Sequence, residues 1–230
     1  IGGSLAEGGA DVFLIDAWPA HVEAMNRDGL TLREGGVDRI VKVRAATSAA
    51  GLGPADLVIV LVKSYHTREA IEGARAIVGP DTAVMSLQNG LGHEDILAEV
   101  VGRGRVLAGK TYKGGVLRAP GHVIAGVKGK ETIIGELDGR ITKRVTRIAE
   151  TFRRAGLAIT VCDNIVGTMG DKLLINGATG ELAGITKRLA APIDAGDTRA
   201  EDRRIVNFMT NQRIGARVGG VCPLIHPVAV

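Results

Sequence analysis

An α/β layer fold built on a parallel sheet over residues 1–164, followed by an all-helical segment over residues 165–230, is what the sequence predicts. Three observations predict it. Strand-like apolar runs alternate with helical patterns through the first half of the chain. Ala55–Lys63 (ADLVIVLVK) holds six apolar residues in a row between charges, the pattern of a parallel strand buried on both faces. From Ile165 onward the strand patterns stop and helical spacing takes over, which sets a domain boundary near Asp163-Asn164.

Taken in order, Ala10–Asp16 (ADVFLID) reads as a short buried strand ending in an acid. Pro19 opens a helix running through Arg27, because proline suits a first turn, where its missing N–H costs nothing. Leu30–Leu32 and Val41–Arg44 flank Gly35-Gly36 and read as a hairpin. A helix from Thr67 to about Val78 follows the Ala55–Lys63 strand. Pro80-Asp81 then turns the chain into Ala83–Leu87, another buried strand, which ends at Gln88-Asn89-Gly90. A helix follows near Glu94–Val101. Arg105–Leu117, His122–Val127 and Glu131–Leu137 read as strands joined by turns at Pro120-Gly121 and Lys128-Gly129-Lys130. Ile141, Val145, Ile148 and Phe152 form one stripe of an amphipathic helix over Ile141–Ala155. Leu157–Val161 is the last strand, and Lys172–Thr186 and Arg203–Val218 read as helices.

The 230 residues carry a net charge of +4 and are 45% hydrophobic, enough apolar material for a core. Only six residues are aromatic, so that core must be built from Val, Ile, Leu and Ala. The 33 glycines lack a G-X-Y period, which excludes collagen. They are expected in tight turns and where backbone approaches a ligand. Well-mixed charges and few aromatic platforms argue against nucleic acid as a partner. The longest apolar run, Leu57–Val62, falls far short of the ~18–20 residues that span a bilayer, so no membrane partner is expected. No signal peptide is visible at Ile1. Cys162 and Cys222 lie far apart with no C-x-x-C or Cys/His cluster, which argues against a disulfide framework or zinc site and fits a reducing cytoplasm. His21, His66, His93, His122 and His226 show no metal-ligand spacing, and no metal is expected.

Four places could carry chemistry. Ile1-Gly2-Gly3 stands where a glycine loop would precede a helix, but alone it reads as an ordinary loop. Asp16 ends a strand, where an acid either accepts hydrogen bonds from ribose hydroxyls, favouring NAD over NADP, or simply caps a turn. Gln88–Gly92 (QNGLG) follows a buried strand at the carboxyl end of the sheet, where α/β folds bind ligands. Asn89 there offers one acceptor and two donors for a carboxamide or hydroxyl, with a plain Asn-Gly turn as the alternative. Lys172 and Asn176, four apart on an expected helix, share a face. Lys172 alone could be a solvated lysine, whereas Asn176 sits in an apolar segment where a buried amide needs partners.

In order along the chain, these segments resemble the ketopantoate reductase family. Leu5–Asp16 is similar to the end of that family's first helix and its second strand, and His21–Leu30 to the following helix. Val62-Lys63-Ser64-Tyr65 resembles its Val-Lys-Ala-Tyr stretch, and Gln88–Gly92 its Q-N-G-L-G. Pro120-Gly121-His122-Val123 and Ile134-Gly135-Glu136 resemble its hairpin region, and Asp171–Thr186 its catalytic helix. The resemblance implies a Rossmann-type dinucleotide-binding domain over 1–164 and a helical substrate domain over 165–230. It implies reduction of a small 2-oxo acid, ketopantoate, with NADP as cofactor, or NAD because of Asp16. It also implies a homodimer. Lys172 matches the catalytic lysine, Asn176 a substrate-binding asparagine, and Asn89 the asparagine at the nicotinamide end, where it serves substrate and cofactor alike. Lys63 matches a cofactor-contacting lysine, Gly115 a backbone position near the cofactor, and Gly2 the last glycine of the phosphate loop. The chain departs from the family at Gly170, where relatives often have Trp, and at Gly180, where many have Asn. The start and the helical segment are short beside the family, so skipped residues are expected near Gly3/Ser4 and within Leu189–Glu201.

Overall fold

A computed structural model describes residues 1–169. Lys172, Asn176, Gly170, Gly180, both expected C-terminal helices and the Leu189–Glu201 stretch lie outside the described residues. The described elements run α1 (Gly2–Glu7), β1 (Phe13–Ile15), α2 (Pro19–Asp28), β2 (Leu30–Glu34), β3 (Val37–Val41), β4 (Arg44–Ala46), β5 (Leu57–Val60), α3 (Thr67–Gly73), β6 (Ala83–Ser86), α4 (His93–Val101), β7 (Val106–Thr111), β8 (Gly114–Ala119), β9 (His122–Gly126), β10 (Thr132–Glu136), α5 (Lys143–Arg154) and β11 (Ile159–Val161).

The main sheet has the order β11-β10-β7-β6-β5. Its β5-β6-β7 half is parallel, with α3 and α4 as the crossover helices, while β10 runs antiparallel to β7. β6 is buried along its whole length because both faces are covered. Ala83 and Met85 turn to a layer completed by Leu107, Ile134, Val145, Ala149 and Phe152. Val84 turns to the opposite layer, made by Ile71, Leu97, Val101 and Val106. Small aliphatic side chains fill most of both layers, as the shortage of aromatics requires.

A second sheet, β3-β2-β9-β8, packs Leu30, Leu32, Val41 and Val123 against Met25 and Val22 of α2. Gly35 and Gly36, at φ +59° and +84°, form its two-residue hairpin turn, a backbone that side-chain-bearing residues rarely adopt. β1 and β4 form a separate parallel pair.

Six sequence expectations are corrected. The hairpin's second strand is Val37–Val41, and Arg44 begins β4, which pairs with β1 instead. β1 is shorter than Ala10–Asp16 and only partly buried, and Ile15 is exposed. β5 stops at Val60 and bonds to β6 on one side, so Leu61 and Val62 are exposed rather than buried on both faces. Arg105–Leu117 is two strands, with the chain leaving the main sheet at Tyr112-Lys113 to join the second. Ile1-Gly2-Gly3 is no loop: α1 runs unbroken through Gly3-Ser4, with Leu5 N donating to the Ile1 carbonyl at 2.9 Å. The reason is packing, since side chains on Gly2 and Gly3 would collide with Leu14 and Leu30. Cys162, fully buried after β11, is disulfide-bonded, contrary to the expectation from cysteine spacing; Cys222 lies outside the described residues.

Two polar ties hold this framework. Arg144 at the start of α5 donates to both oxygens of buried Glu136, Nε at 2.8 Å, and Thr142 caps the same helix. Removing one member of a buried pair leaves the other uncompensated. Arg144→Met is therefore expected to lower unfolding free energy by about 3 kcal/mol, the low end for such pairs because the guanidinium keeps some solvent contact. Urea unfolding of the variant measures it, and Arg144→Met/Glu136→Leu should recover most of the loss.

The second tie is Lys113, buried at the crossing between the sheets. Its ammonium donates to the Ala158 carbonyl at 2.7 Å, to Thr132 Oγ1 at 3.2 Å and to the Lys130 carbonyl. Burial holds its pKa below the usual lysine value of 10.5, and nearby Glu131 opposes that shift only partly. The unfolded chain then binds more protons than the folded one between that lowered pKa and 10.5. Lys113's contribution to stability should therefore rise with pH through this window. Melting curves taken across it should show an upward slope in wild type that Lys113→Met lacks.

Candidate functional site

The carboxyl ends of β5 and β6, neighbouring parallel strands, bring two of the sequence-predicted residues together. Parallel pairing aligns the strand ends, so the loops after them must emerge side by side. Lys63 leaves β5 exposed, in extended conformation, and its carbonyl accepts from His66 N at 2.8 Å as the chain turns into α3. Asn89 leaves β6 exposed, and its carbonyl accepts from Ser64 Oγ at 3.4 Å. Gly90 and Gly92, at φ +109° and +87°, let the loop bend back into α4. A side chain at Gly90 would press on His93, 3.2 Å away.

Beneath these two exposed residues lies a buried polar cluster. Gln88 Nε2 donates to the Val62 carbonyl at 2.7 Å and to Thr67 Oγ1 at 2.9 Å. Thr67 Oγ1 in turn donates to the Ser64 carbonyl at 2.8 Å. Ser86 Oγ donates to Gln88 Oε1 at 3.0 Å and accepts from Gln88 N at 3.2 Å. A carbonyl can only accept, so the Val62 contact fixes which end of the amide faces it. In the sequence Gln88 is marked only by its place just after the strand Ala83–Leu87 and ahead of Asn89-Gly90.

His93 and Glu94 are buried at the start of α4. Burial lowers the His93 pKa and raises that of Glu94, the latter opposed by a hydrogen bond from its own backbone N–H. Both shifts disfavour charge on these two side chains beneath the loop.

Asp16 follows β1. Its Oδ1 accepts from Trp18 N at 2.8 Å, the turn-capping alternative of the sequence reading. Gly2 lies against Leu14, two residues from Asp16, and α1 approaches β1 so closely that a Cβ at Gly2 would fall 2.6 Å from Leu14 Cδ2. Gly115 belongs to edge strand β8 of the second sheet, not to the Lys63–Asn89 cluster. Its neighbours leave room for a Cβ at ordinary contact distance, 3.5 Å. Among the described residues no group of His, Cys, Asp and Glu could hold a metal. No described helix is long and apolar enough to cross a membrane.

Exposed polar residues on the ends of parallel strands, with glycine-relieved backbone and a close helix–strand contact at Gly2, suit a dinucleotide. The comparisons agree in kind. The family model for ketopantoate reductase PanE/ApbA matches residues 1–139. A 2-dehydropantoate 2-reductase of Pyrococcus horikoshii is 40% identical over 185 residues, covering 80% of this chain and 59% of the relative. One of Halobacterium salinarum is 36% identical over 179 residues, covering 76% and 58%. The chain thus spans less than two thirds of the length of these curated relatives. Among solved structures, 2-dehydropantoate 2-reductase from Geobacter metallireducens aligns with a TM-score of 0.78 at 28% identity, covering 91% of this chain and 68% of that one. D-mandelate dehydrogenase with NADH and anilino(oxo)acetate aligns at 0.73 and 26%, covering 81% and 60%.

Proposed function

This chain belongs to the ketopantoate reductase family, and on that premise we propose that it serves the NADPH-dependent reduction of ketopantoate to pantoate. The observation that carries the reading is the juxtaposition of Lys63 and Asn89 at the ends of adjacent parallel strands, held by a buried polar cluster. Lys63, Asn89, Asp16, Gly2 and the backbone at Gly115 would hold the nucleotide. When bound, the reduced nicotinamide supplies a hydride to the ketone carbon. Lys172 holds an ammonium against the ketone oxygen, stabilises the charge that grows there and delivers the proton that completes the hydroxyl. Asn176 and Asn89 fix the substrate oxygens. The protein works as a homodimer, with the helical segment over 165–230 supplying the substrate side.

The test is NADPH and NADH oxidation followed at 340 nm with ketopantoate; turnover with NADPH is expected, and none with either nucleotide overturns the reading. A second reading has its own support: Asp16 follows β1, where an acid can accept hydrogen bonds from ribose hydroxyls. In that case NADH and a different small 2-oxo acid are the partners. Faster turnover with NADH and an aryl 2-oxo acid than with NADPH and ketopantoate would favour it.

A further inference from the structure

We infer that Gln88, acting with Thr67, is a positioning residue that sets the spacing between Lys63 and Asn89, and so governs the binding of the nicotinamide nucleotide. The one clause of this that rests on the proposed function is the nucleotide. The geometry stands without it.

Lys63 lies between Val62 and Ser64, and both of their carbonyls are engaged by the same amide. Val62 accepts directly from Gln88 Nε2, and Ser64 accepts through the Thr67 hydroxyl, which itself accepts from Gln88 Nε2. Both amide hydrogens are therefore used, and each fixes the backbone on one side of Lys63. The amide oxygen is used as well, by Ser86, so the side chain cannot rotate without breaking a bond. Gln88 is also the residue before Asn89. One side chain thus grips the Lys63 loop while its own backbone carries Asn89. Thr67 is fully buried and Gln88 and Ser86 nearly so, which keeps water from replacing these partners. Neither Gln88 nor Thr67 is exposed enough to meet a ligand, so they act through Lys63 and Asn89.

Substitution should reveal this in two independent ways. Gln88→Met keeps the volume and removes every hydrogen bond, while Thr67→Val removes only the hydroxyl relay. By hydrogen exchange with no nucleotide present, backbone amides of residues 63–67 are expected to exchange about tenfold faster or more in both variants, and Thr67→Ser should restore protection. Unchanged exchange in that segment overturns the inference. In steady-state assays the KM for NADPH should rise about tenfold to a hundredfold, the scale of a misplaced binding group, with KM for the 2-oxo acid changed far less. Val145→Ala, a core variant away from these loops, serves as the control: a merely structural role for Gln88 would give it the same kinetic profile at matched stability. A wild-type protein that binds neither NADPH nor NADH would sink the functional reading, and the clamp would then be judged by exchange alone.

Discussion

Lys172→Ala is expected to reduce kcat for ketopantoate reduction by about a hundredfold to ten-thousandfold, the range for losing a positioned general acid. The KM for NADPH should change little, because no nucleotide contact is assigned to Lys172. The size follows from what the ammonium does. In the proposed reaction it would be needed most when hydride transfer places charge on the ketone oxygen, and less in the ground state, so its loss would fall on kcat. Lysine suits the task because its reference pKa of about 10.4 keeps it protonated at neutral pH. Lys172→Arg keeps the charge but not the shape and should restore only part of the rate. Stopped-flow NADPH oxidation measures all three proteins, and full activity in Lys172→Ala would remove the residue from its assigned role.

Phe152→Ala should cost about 3–5 kcal/mol of unfolding free energy, read from urea titration. Phe152 is the largest side chain with no solvent exposure and the only aromatic so placed among the described residues. It sits in the layer that holds α5 against Met85, Leu107 and Ile134. Those neighbours come from strands fixed on both sides, so they cannot collapse into the space a missing ring would leave. Phe152→Leu fills most of that space and should cost less than half as much. A Phe152→Ala variant as stable as wild type would mean that α5 contributes little to the fold.

Local signals made much of this architecture legible. Proline at the start of α2, paired glycines in the β2–β3 turn and the short, mostly apolar stretch Ala83–Leu87 each act within a few residues, and each predicts its element. What failed depended on partners far along the chain. Val41–Arg44 looks like one strand until Arg44 finds β1. Arg105–Leu117 looks like one strand until the chain changes sheets. Leu61 and Val62 match a buried strand by composition, yet β5 is paired on one side and they project beyond it. At the candidate site, Asn89 and Asp16 are legible as polar residues at strand ends, and Lys63 only through the family resemblance. Gln88 and Thr67 were not singled out, because their value lies in a contact between residues 21 apart. Ile1-Gly2-Gly3 alone reads as a loop, since nothing in it shows the leucines that α1 must approach.

The crossing from β7 to β8 also bears on how the molecule comes apart. Only Tyr112 and Lys113 separate the last residue of one sheet from the first of the other. The buried ammonium at that crossing is tied to β10 and to the segment before β11. Val127, just after β9 of the second sheet, lies in the same apolar cluster as Met85, Leu107 and Ile134 of the main sheet. Neither sheet can open far without straining the other. The two sheets should therefore behave as one cooperative unit, melting in a single calorimetric transition and exchanging their slowest amides at a common rate.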